Sequence, residues 1–397
     1  MTIKNVNLTH VVKHVLKKRR KILQVVKKYK TPFYLHDSEE LRVGINDFQK
    51  TFKKYIPQLR TFYAMKSNPH EFLLKEVVRS GLGIDVSSGR ELRLALKASA
   101  KELLFTGPAK TVEELTLALG YSDKLTLNID SFTELKKVQE LNKKCKKKIK
   151  VGIRIFTSHH GNWNKFGIPL NELSSMWKLL GKDSYFEPLG IQVHMSFNES
   201  AKPYENIIKE IGIYLNKNNP LKKKIRFIDL GGGFLPFNSQ GLIIKKTKQH
   251  IDMPAVPLYE YASGIAKAIK KYLSDVDCEY YFEPGRIISN NAMHIILKVE
   301  DVKRSNIVIT DGGTNIVGWE RFEEDYFPVI NLTHPSLREM KCTIFGSLCT
   351  PDDIWGYYCY AKKIEEGDIL LIPYQGAYTY TYAQEFIKPF PKVYRLS

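Results

Sequence analysis

The sequence predicts a (β/α)8 barrel, also called a TIM barrel, joined to a smaller C-terminal all-β domain. Eight short runs of β-forming residues alternate with helix-forming stretches up to about residue 290. After Asn290 the pattern changes to short strand-like runs that are separated by turns. A chain of 397 residues has room for both parts, because one barrel takes about 250 residues. This alternation predicts a parallel sheet, since parallel strands need crossover helices.

The predicted barrel strands are runs that end in glycine or polar residues. They are 61–66 (TFYAMK), 83–88 (GIDVSS), 103–107 (LLFTG), 125–130 (LTLNID), 150–156 (KVGIRIF), 189–195 (LGIQVHM), 226–233 (RFIDLGGG) and 280–286 (YYFEPGR). Helical periodicity fills the gaps, for example in 91–98 (ELRLALKA) and 132–141 (FTELKKVQEL). The strand starts are more widely spaced in the second half, which predicts insertions after those strands.

The domain limits follow from the same patterns. Residues 1–36 are predicted to form a basic, partly amphipathic helical segment and a first strand, which together pack with the β domain. Residues 37–290 are assigned to the (β/α)8 barrel, and residues 291–397 to the C-terminal β domain.

Composition and charge exclude several classes of protein. With 43% hydrophobic and 26% charged residues, the chain is neither disordered nor fibrous. No apolar run approaches the roughly 20 residues of a membrane span, and no signal peptide is recognisable, so a cytoplasmic protein without a membrane partner is expected. Five cysteines without CxxC spacing predict free thiols and no metal site.

The net charge of +19 is unevenly distributed, because residues 1–30 contain ten Lys or Arg and no acidic residue. The basic runs lack interleaved aromatic residues and no recognition motif accompanies them, so a nucleic-acid partner is not expected. An acidic small substrate is compatible with this charge.

The ends of three predicted strands carry residues that suggest a common chemistry. Lys66 closes the first strand, where loss of solvent can make an amine nucleophilic toward an aldehyde, although a lone lysine there would more often lie at the barrel rim. Glycines 231–233 follow the seventh strand, and Glu283 and Arg286 follow the eighth. Loops after the seventh and eighth strands are the usual phosphate site of such barrels.

Together these residues match what pyridoxal phosphate requires. Its aldehyde needs a lysine, its phosphate needs backbone N–H groups and a cation, and its ring nitrogen needs an anion such as Glu283. His194, at the end of the sixth strand, could stack on the ring, but considered singly it is as readily a structural histidine.

The chain resembles fold-type III pyridoxal-phosphate decarboxylases, the ornithine/diaminopimelate decarboxylase group, from Thr31 almost to its C-terminus. The matching motifs are TPFY (31–34), YAMKSN, GIDVSSGREL, NIDSFTEL, Arg154-Ile155, Lys165-Phe166-Gly167, LGGGF, EPGR, GSLCTPDD (346–353) and GAYT (376–379). The resemblance implies an alanine-racemase-like barrel, a pyridoxal 5'-phosphate cofactor and a carboxy-lyase activity in amino-acid metabolism.

The resemblance also implies roles for individual residues. Lys66 would form the Schiff base with the cofactor, His194 would stack on its ring and Glu283 would hold its nitrogen. Phosphate contacts are implied for Gly232, Gly233, Gly285, Arg286 and Tyr378, with Asp85 and Arg154 nearby.

Members of this group are homodimers with shared active sites. By resemblance, Cys349 and Asp353 would therefore act in the partner's site, with Cys349 as the acid that reprotonates the α-carbon. Lys165 would pair with Asp353 across the interface, and Tyr378 and Asp353 would also face the substrate.

Two departures from the family pattern bear on the ligands. The usual HxGS motif, whose serine helps to bind phosphate, reads His194-Met195-Ser196-Phe197 here. The carboxylate that usually follows the cysteine and recognises a distal ammonium is replaced by Thr350. The distal group of the substrate is therefore expected not to be a free amine.

A Cys-Thr-Pro sequence resembles the subgroup that decarboxylates conjugated amino acids in siderophore and antibiotic pathways. The leading prediction is a decarboxylase of an N-citryl diamino acid, such as N-citrylornithine, in carboxylate siderophore biosynthesis. Arg321 is a candidate for the distal carboxylate; otherwise it is a surface arginine in an acidic loop.

The alternatives are a decarboxylase of free ornithine, lysine or diaminopimelate, an inactive regulatory homologue, and a racemase. Thr350 argues against the first alternative. Retention of Lys66, Glu283 and Cys349 together argues against the second.

Overall fold

The computed structural model describes residues 8–236, 241–244, 249–252, 255–304, 306–317, 325–326 and 328–396. The chain divides into two compact units. The barrel unit contains Ile45–Leu235 and Val256–Ile287, and the β unit contains Met1–Gly44, Pro236–Ala255 and Ile288–Ser397. The domain limits at 36/37 and 290/291 stay a prediction.

The secondary structure alternates regularly through the first two thirds of the chain. The helices are α1 Thr9–Lys17, α2 Arg19–Val26, α3 Ser38–Tyr55, α4 Glu71–Arg79, α5 Gly89–Lys97, α6 Val112–Gly120, α7 Phe132–Cys145, α8 Leu173–Leu180, α9 Lys202–Lys217, α10 Asn219–Lys222, α11 Leu258–Tyr272, α12 Arg286–Ser289 and α13 Thr379–Tyr382. Short 3-10 helices occur at Met65–Ser67, Gly161–Lys165, Leu170–Glu172, Asn290–Ala292 and Thr314–Ile316. Among the described residues, no helix is long and apolar enough to cross a membrane.

The strands of the described residues are distributed over three sheets. In chain order they are β1 Phe33–His36, β2 Leu59–Ala64, β3 Gly83–Val86, β4 Leu103–Phe105, β5 Leu125–Ile129, β6 Ile149–Phe156, β7 Ile168–Pro169, β8 Phe186–Gln192, β9 Phe227–Asp229, β10 Gly241–Ile244, β11 Gln249–Asp252, β12 Glu279–Phe282, β13 Met293–Arg304, β14 Ile307–Thr310, β15 Asp325–Tyr326, β16 Val329–Asn331, β17 Pro335–Phe345, β18 Ile354–Ala361, β19 Ile369–Ile372 and β20 Lys392–Arg395.

The barrel unit is a closed parallel sheet. Its strands follow the order β5-β4-β3-β2-β12-β9-β8-β6, and β6 pairs again with β5. Each of these pairings is parallel. Strands β3 and β4 are buried along their whole length, as expected for a parallel sheet covered on both faces. The predicted (β/α)8 barrel is therefore confirmed, with all eight of its strands.

An aromatic cluster supports one side of the barrel. Phe234, which follows β9, lies 5.3 Å from Phe52 and 5.1 Å from Tyr204, measured between ring centroids. It also makes an edge contact with Tyr261 at 5.4 Å. The hydroxyl of Tyr204 donates to the carbonyl of Gly232 over 2.6 Å. The cluster thus anchors the glycine-rich segment that precedes Phe234.

The β unit is built on an eight-stranded mixed sheet. Its order is β14-β17-β18-β16-β19-β13-β1-β20, and an added pairing of β14 with β13 closes six of these strands into a ring. The strands predicted from the sequence after Asn290 form part of this sheet. A small second sheet, β11-β10-β15, includes residues from the predicted insertion after the seventh barrel strand.

The basic N-terminal segment forms the two helices α1 and α2. Their apolar face, which includes Val12, Val15 and Ile22, packs into one core with Phe33 and other residues of the sheet in the β unit. Lys18, between the helices, pairs through its amine with Asp37 at 2.8 Å and Glu40 at 2.5 Å.

Candidate active site

Most of the predicted cofactor residues lie at the carboxyl ends of the barrel strands. Asp85 is in β3, Arg154 in β6, and Lys66 in the 3-10 turn just after β2. His194 follows β8, glycines 231–233 follow β9, and residues 283–286 follow β12. Since parallel strands end at one face of a barrel, the chain brings these residues to one face.

Lys66 and Asp85 form an ion pair in this site. Lys66 Nζ lies 3.1 Å from Asp85 Oδ2, and the Asp85 side chain is completely buried while that of Lys66 is 32% exposed. Burial, and then the negative charge of Glu283, raise the pKa of Asp85 to about 7, although the Lys66 ammonium acts in the opposite direction. A carboxyl with this pKa can hold or release a proton beside the lysine amine near neutral pH.

Glu283 provides a buried anion. Burial alone would raise its pKa, but its polar surroundings, which include the Lys66 ammonium and a hydrogen bond with Asp229, lower it to about 2. Its Oε1 atom accepts a hydrogen bond from Gln192 Nε2 over 3.2 Å. In the neighbouring Asp229, burial and the charge of Glu283 raise the pKa well above its ordinary value. Glu283 is therefore the member of this carboxyl pair that carries the charge.

His194 is held as a neutral ring. Its Nδ1 atom accepts from the backbone N–H of Gly232 over 3.1 Å, so this nitrogen carries no proton. Its Nε2 atom lies 3.1 Å from Ser196 Oγ and is then the donor. Burial lowers the pKa of His194, which agrees with this assignment.

The segment after β9 requires glycine. Gly231 and Gly233 have φ values of +68° and +94°, which side-chain-bearing residues rarely adopt. A Cβ atom at Gly232 would clash with the carbonyl oxygen of Glu283, and one at Gly233 would clash with that of Met195. The backbone there can approach a ligand closely, which suits a phosphate group.

Arg286 lies beside an aromatic ring. Its guanidinium carbon is 5.6 Å from the ring centroid of Phe197, the residue at the place of the family serine. Gly285, just before it, is also confined, since a Cβ there would lie 3.0 Å from Ser67 Oγ. The site thus offers both a glycine-rich backbone and a guanidinium.

Arg154 belongs to a buried polar network whose other members the sequence analysis missed. Its Nη1 atom lies 3.7 Å from Asp130 Oδ1 and donates to the carbonyl of Thr106 over 3.1 Å. Lys110 pairs with Glu134 at 2.8 Å, and the two side chains are only 1% and 4% exposed. In the sequence, Lys110 at the end of FTGPAK, shortly after the third predicted barrel strand, is the residue that could have indicated this network.

In the β unit, Asp353 holds the loop that contains Cys349 and Thr350. Its Oδ1 atom accepts from the N–H and the hydroxyl of Thr314 over 2.7 and 2.8 Å, and its Oδ2 atom accepts from Leu348 N–H over 2.7 Å. Cys349 is exposed. The pairing of Asp353 with Lys165 stays a prediction; in the barrel unit Lys165 Nζ lies 4.9 Å from the Phe166 ring centroid.

The remaining two predicted site residues, Tyr378 and Arg321, are not part of the described barrel unit. Tyr378 is in the β unit, directly before α13, with a φ of +64°. Arg321 lies outside the described residues.

The barrel residues fit pyridoxal phosphate on geometric grounds. A lysine amine stands beside an acid, a buried anion is available for a ring nitrogen, and a backbone that only glycine can form is available for a phosphate. These groups all come from strand ends of one barrel.

Comparisons with known proteins agree with this description. Residues 42–290 match the sequence pattern of the family described as "Pyridoxal-dependent decarboxylase, pyridoxal binding domain". The diaminopimelate decarboxylase of Campylobacter jejuni is 26% identical over 386 residues, which cover 91% of this chain and 90% of the relative. The diaminopimelate decarboxylase of Helicobacter pylori complexed with L-lysine is similar in structure, with a TM-score of 0.79, 25% identity and coverage of 95% and 94%. That of Methanocaldococcus jannaschii has a TM-score of 0.81 at 23% identity, covering 94% of this chain and 89% of the other, and supports the fold.

Proposed function

The chain belongs to the family of pyridoxal-dependent decarboxylases, and from this premise we propose that it decarboxylates an amino acid whose side-chain amine is acylated. It is a pyridoxal-phosphate-dependent carboxy-lyase. The leading candidate substrate is an N-citryl diamino acid such as N-citrylornithine, with a place in carboxylate siderophore biosynthesis. The net reaction breaks the bond between the α-carbon and its carboxylate, releases CO2 and adds one proton to the α-carbon.

Thr350 is the observation that carries this proposal. It stands where the family resemblance places a carboxylate for a distal ammonium, and it offers only a hydroxyl group. The nearby Asp353 is buried, and its two oxygens accept hydrogen bonds from Thr314 and from Leu348. A desolvated ammonium without a carboxylate partner is costly, whereas an amide can bond to a hydroxyl group. The basic net charge of +19 would favour a substrate that carries the extra carboxylates of citrate.

The barrel residues would hold the cofactor in defined roles. Lys66 would bind its aldehyde carbon, Glu283 its ring nitrogen, and the glycine segment together with Arg286 its phosphate. When bound, pyridoxal phosphate supplies an electron sink for the electrons left on the α-carbon.

The other steps belong to the protein's own side chains. Asp85, 3.1 Å from Lys66 Nζ, can take or return the proton of that amine. Glu283 remains ionised and keeps a ring nitrogen protonated. The neutral His194 ring excludes water from one face of the site without adding a charge. Cys349 is proposed as the acid that delivers the proton to the α-carbon.

By the family resemblance we also propose a homodimer with shared active sites. Cys349, Thr350 and Asp353 of one subunit would then complete the site formed by the barrel of the other, and Tyr378 would contact the cofactor phosphate. Arg321 is proposed to pair with a distal carboxylate of the substrate.

The first test is turnover of defined substrates by the purified protein loaded with pyridoxal phosphate. We expect CO2 release and the matching amine, identified by mass spectrometry, from N-citrylornithine and not from free ornithine or lysine. Turnover of the free diamino acids alone would refute the proposal.

A variant at Thr350 sharpens this test. Thr350→Glu should improve kcat/KM for lysine or ornithine and reduce it for the citryl conjugate, with each effect roughly 10- to 200-fold. Thr350→Ser keeps the hydroxyl group and is the matched control. Identical substrate preferences in all three proteins would show that residue 350 does not select the substrate.

Diaminopimelate is the second candidate, and the curated relatives favour it. The relatives from Campylobacter jejuni and Helicobacter pylori are diaminopimelate decarboxylases at 26% identity over nearly their whole length. Including meso-diaminopimelate in the same assay separates the two candidates, because its distal end carries a free ammonium.

A further inference from the structure

Phe197 combines two features that are uncommon for a phenylalanine. Its side chain is exposed, with 57% of the surface of the residue accessible, although it lies at the ligand-binding end of the barrel strands. Its φ angle is +57°, in the left-handed region that non-glycine residues seldom adopt. Such conformations persist where the surroundings impose them, and they cluster at functional sites.

The residues on both sides impose this conformation. Asn198 donates from its backbone N–H to the carbonyl of Gly233 over 3.0 Å, and from its side chain to the carbonyl of Met195 over 3.2 Å. Its own carbonyl accepts from the Tyr261 hydroxyl over 2.6 Å. On the other side, Ser196 bonds to His194. The segment is thereby tied to the glycine loop, which holds the backbone of Phe197 in its left-handed conformation.

The Phe197 ring lies against Arg286. The distance of 5.6 Å from the guanidinium carbon to the ring centroid is within the range of a cation–π contact. A guanidinium that stacks on a ring uses its flat face, while its N–H donors point outward in its plane. An arginine held this way presents a fixed fork of donors, which is the geometry that binds phosphate oxygens.

We propose that Phe197 is a positioning residue for the cofactor phosphate: its ring orients the Arg286 guanidinium and thus replaces the hydroxyl contact that the family motif would supply. This role rests on the placement of pyridoxal phosphate proposed above. It also explains why an exposed aromatic residue occupies a left-handed position in this loop.

The test compares two ligands that differ only in the phosphate group. Dissociation constants for pyridoxal phosphate and for pyridoxal are measured by absorbance titration of the full-length protein and its variants. Phe197→Ala and Phe197→Leu should weaken pyridoxal phosphate binding roughly threefold to tenfold, and Phe197→Trp should retain it. None of the three should change pyridoxal binding. Tyr121→Ala, an exposed aromatic at the opposite end of the barrel, is the control and should change neither constant.

A double-mutant cycle shows whether the effect passes through Arg286. In an Arg286→Ala background, Phe197→Ala should cause no further loss of pyridoxal phosphate affinity. The proposal is overturned if Phe197→Ala and Phe197→Leu both bind pyridoxal phosphate like wild type, if pyridoxal affinity falls by the same factor, or if the loss persists without Arg286. Phe197→Leu, together with pyridoxal binding as a check of the folded site, carries the test if the alanine variant does not fold. Failure of wild type to bind pyridoxal phosphate at all would instead refute the cofactor placement.

Discussion

Asp85→Asn tests whether burial of this carboxyl group governs the pH dependence of stability. Burial first, and then the charge of Glu283, raises the pKa of Asp85 to about 7 from its ordinary 3.8. A carboxyl whose pKa is higher in the folded than in the unfolded state gives the folded state more bound protons between those two values. The free energy of unfolding of wild type should therefore fall as the pH rises through this window.

The size of the effect follows from the shift. A shift of about three pKa units at 1.36 kcal/mol each corresponds to about 4 kcal/mol, and the complete burial of Asp85 removes any need to discount it for solvent screening. Asparagine has no proton to lose, so the stability of the variant relative to wild type should increase by up to about 4 kcal/mol across the window. Loss of the 3.1 Å contact with Lys66 changes the stability of the variant at every pH, so the quantity to compare is the slope of the free energy of unfolding against pH.

Urea unfolding of cofactor-free protein at a series of pH values measures this difference. Asp123→Asn, at an exposed position, is the control and should run parallel to wild type. A constant difference between Asp85→Asn and wild type at every pH would refute the reasoning, because it would mean that Asp85 titrates alike in the folded and unfolded states.

Three further predictions concern the buried pair, the buried anion and the shared site. Lys110→Met leaves Glu134 as a buried charge and should lower the free energy of unfolding by about 3–5 kcal/mol in urea titrations. Adding Glu134→Gln should recover most of this loss. Equal losses in the single and the double variant would contradict a buried ion pair. Glu283→Gln should lower kcat by roughly 100-fold without unfolding the protein, as followed by circular dichroism, and wild-type turnover would exclude the proposed role. Mixing Lys66→Ala with Cys349→Ala subunits should restore up to about a quarter of wild-type activity if sites are shared; no recovery after verified subunit exchange would count against sharing.

The barrel could be predicted because the sequence patterns of its strands and helices are local. Each strand is a short apolar run with a glycine or polar residue at its end, and each helix has its own periodicity. The strand ends were less well defined: Lys66 was placed at the end of a strand but lies in a 3-10 turn after Ala64. Such boundaries depend on where a turn closes, which neighbouring residues in the sequence specify only weakly.

The candidate site was partly predictable for the same reason. A lysine, a glycine run and a glutamate at strand ends must meet once the barrel closes, whatever the details of packing. The hydrogen-bond and ion-pair partners of the buried polar residues could not be predicted in this way. Lys110 pairs with Glu134, 24 residues further along the chain, and nothing in the sequence near either residue indicates the pairing.

The sequence by itself determined the alternation of strands and helices, the change to an all-β pattern after Asn290 and the reactive residue types at the strand ends. Tertiary structure alone decided that β1 lies between β13 and β20, that the Asp353 carboxylate accepts hydrogen bonds from Thr314 and that Phe197 contacts Arg286. The physical reason is that periodicity arises from residues a few positions apart, whereas these contacts join segments that only chain closure brings together. Their protonation states and orientations then follow from burial, which no local pattern encodes.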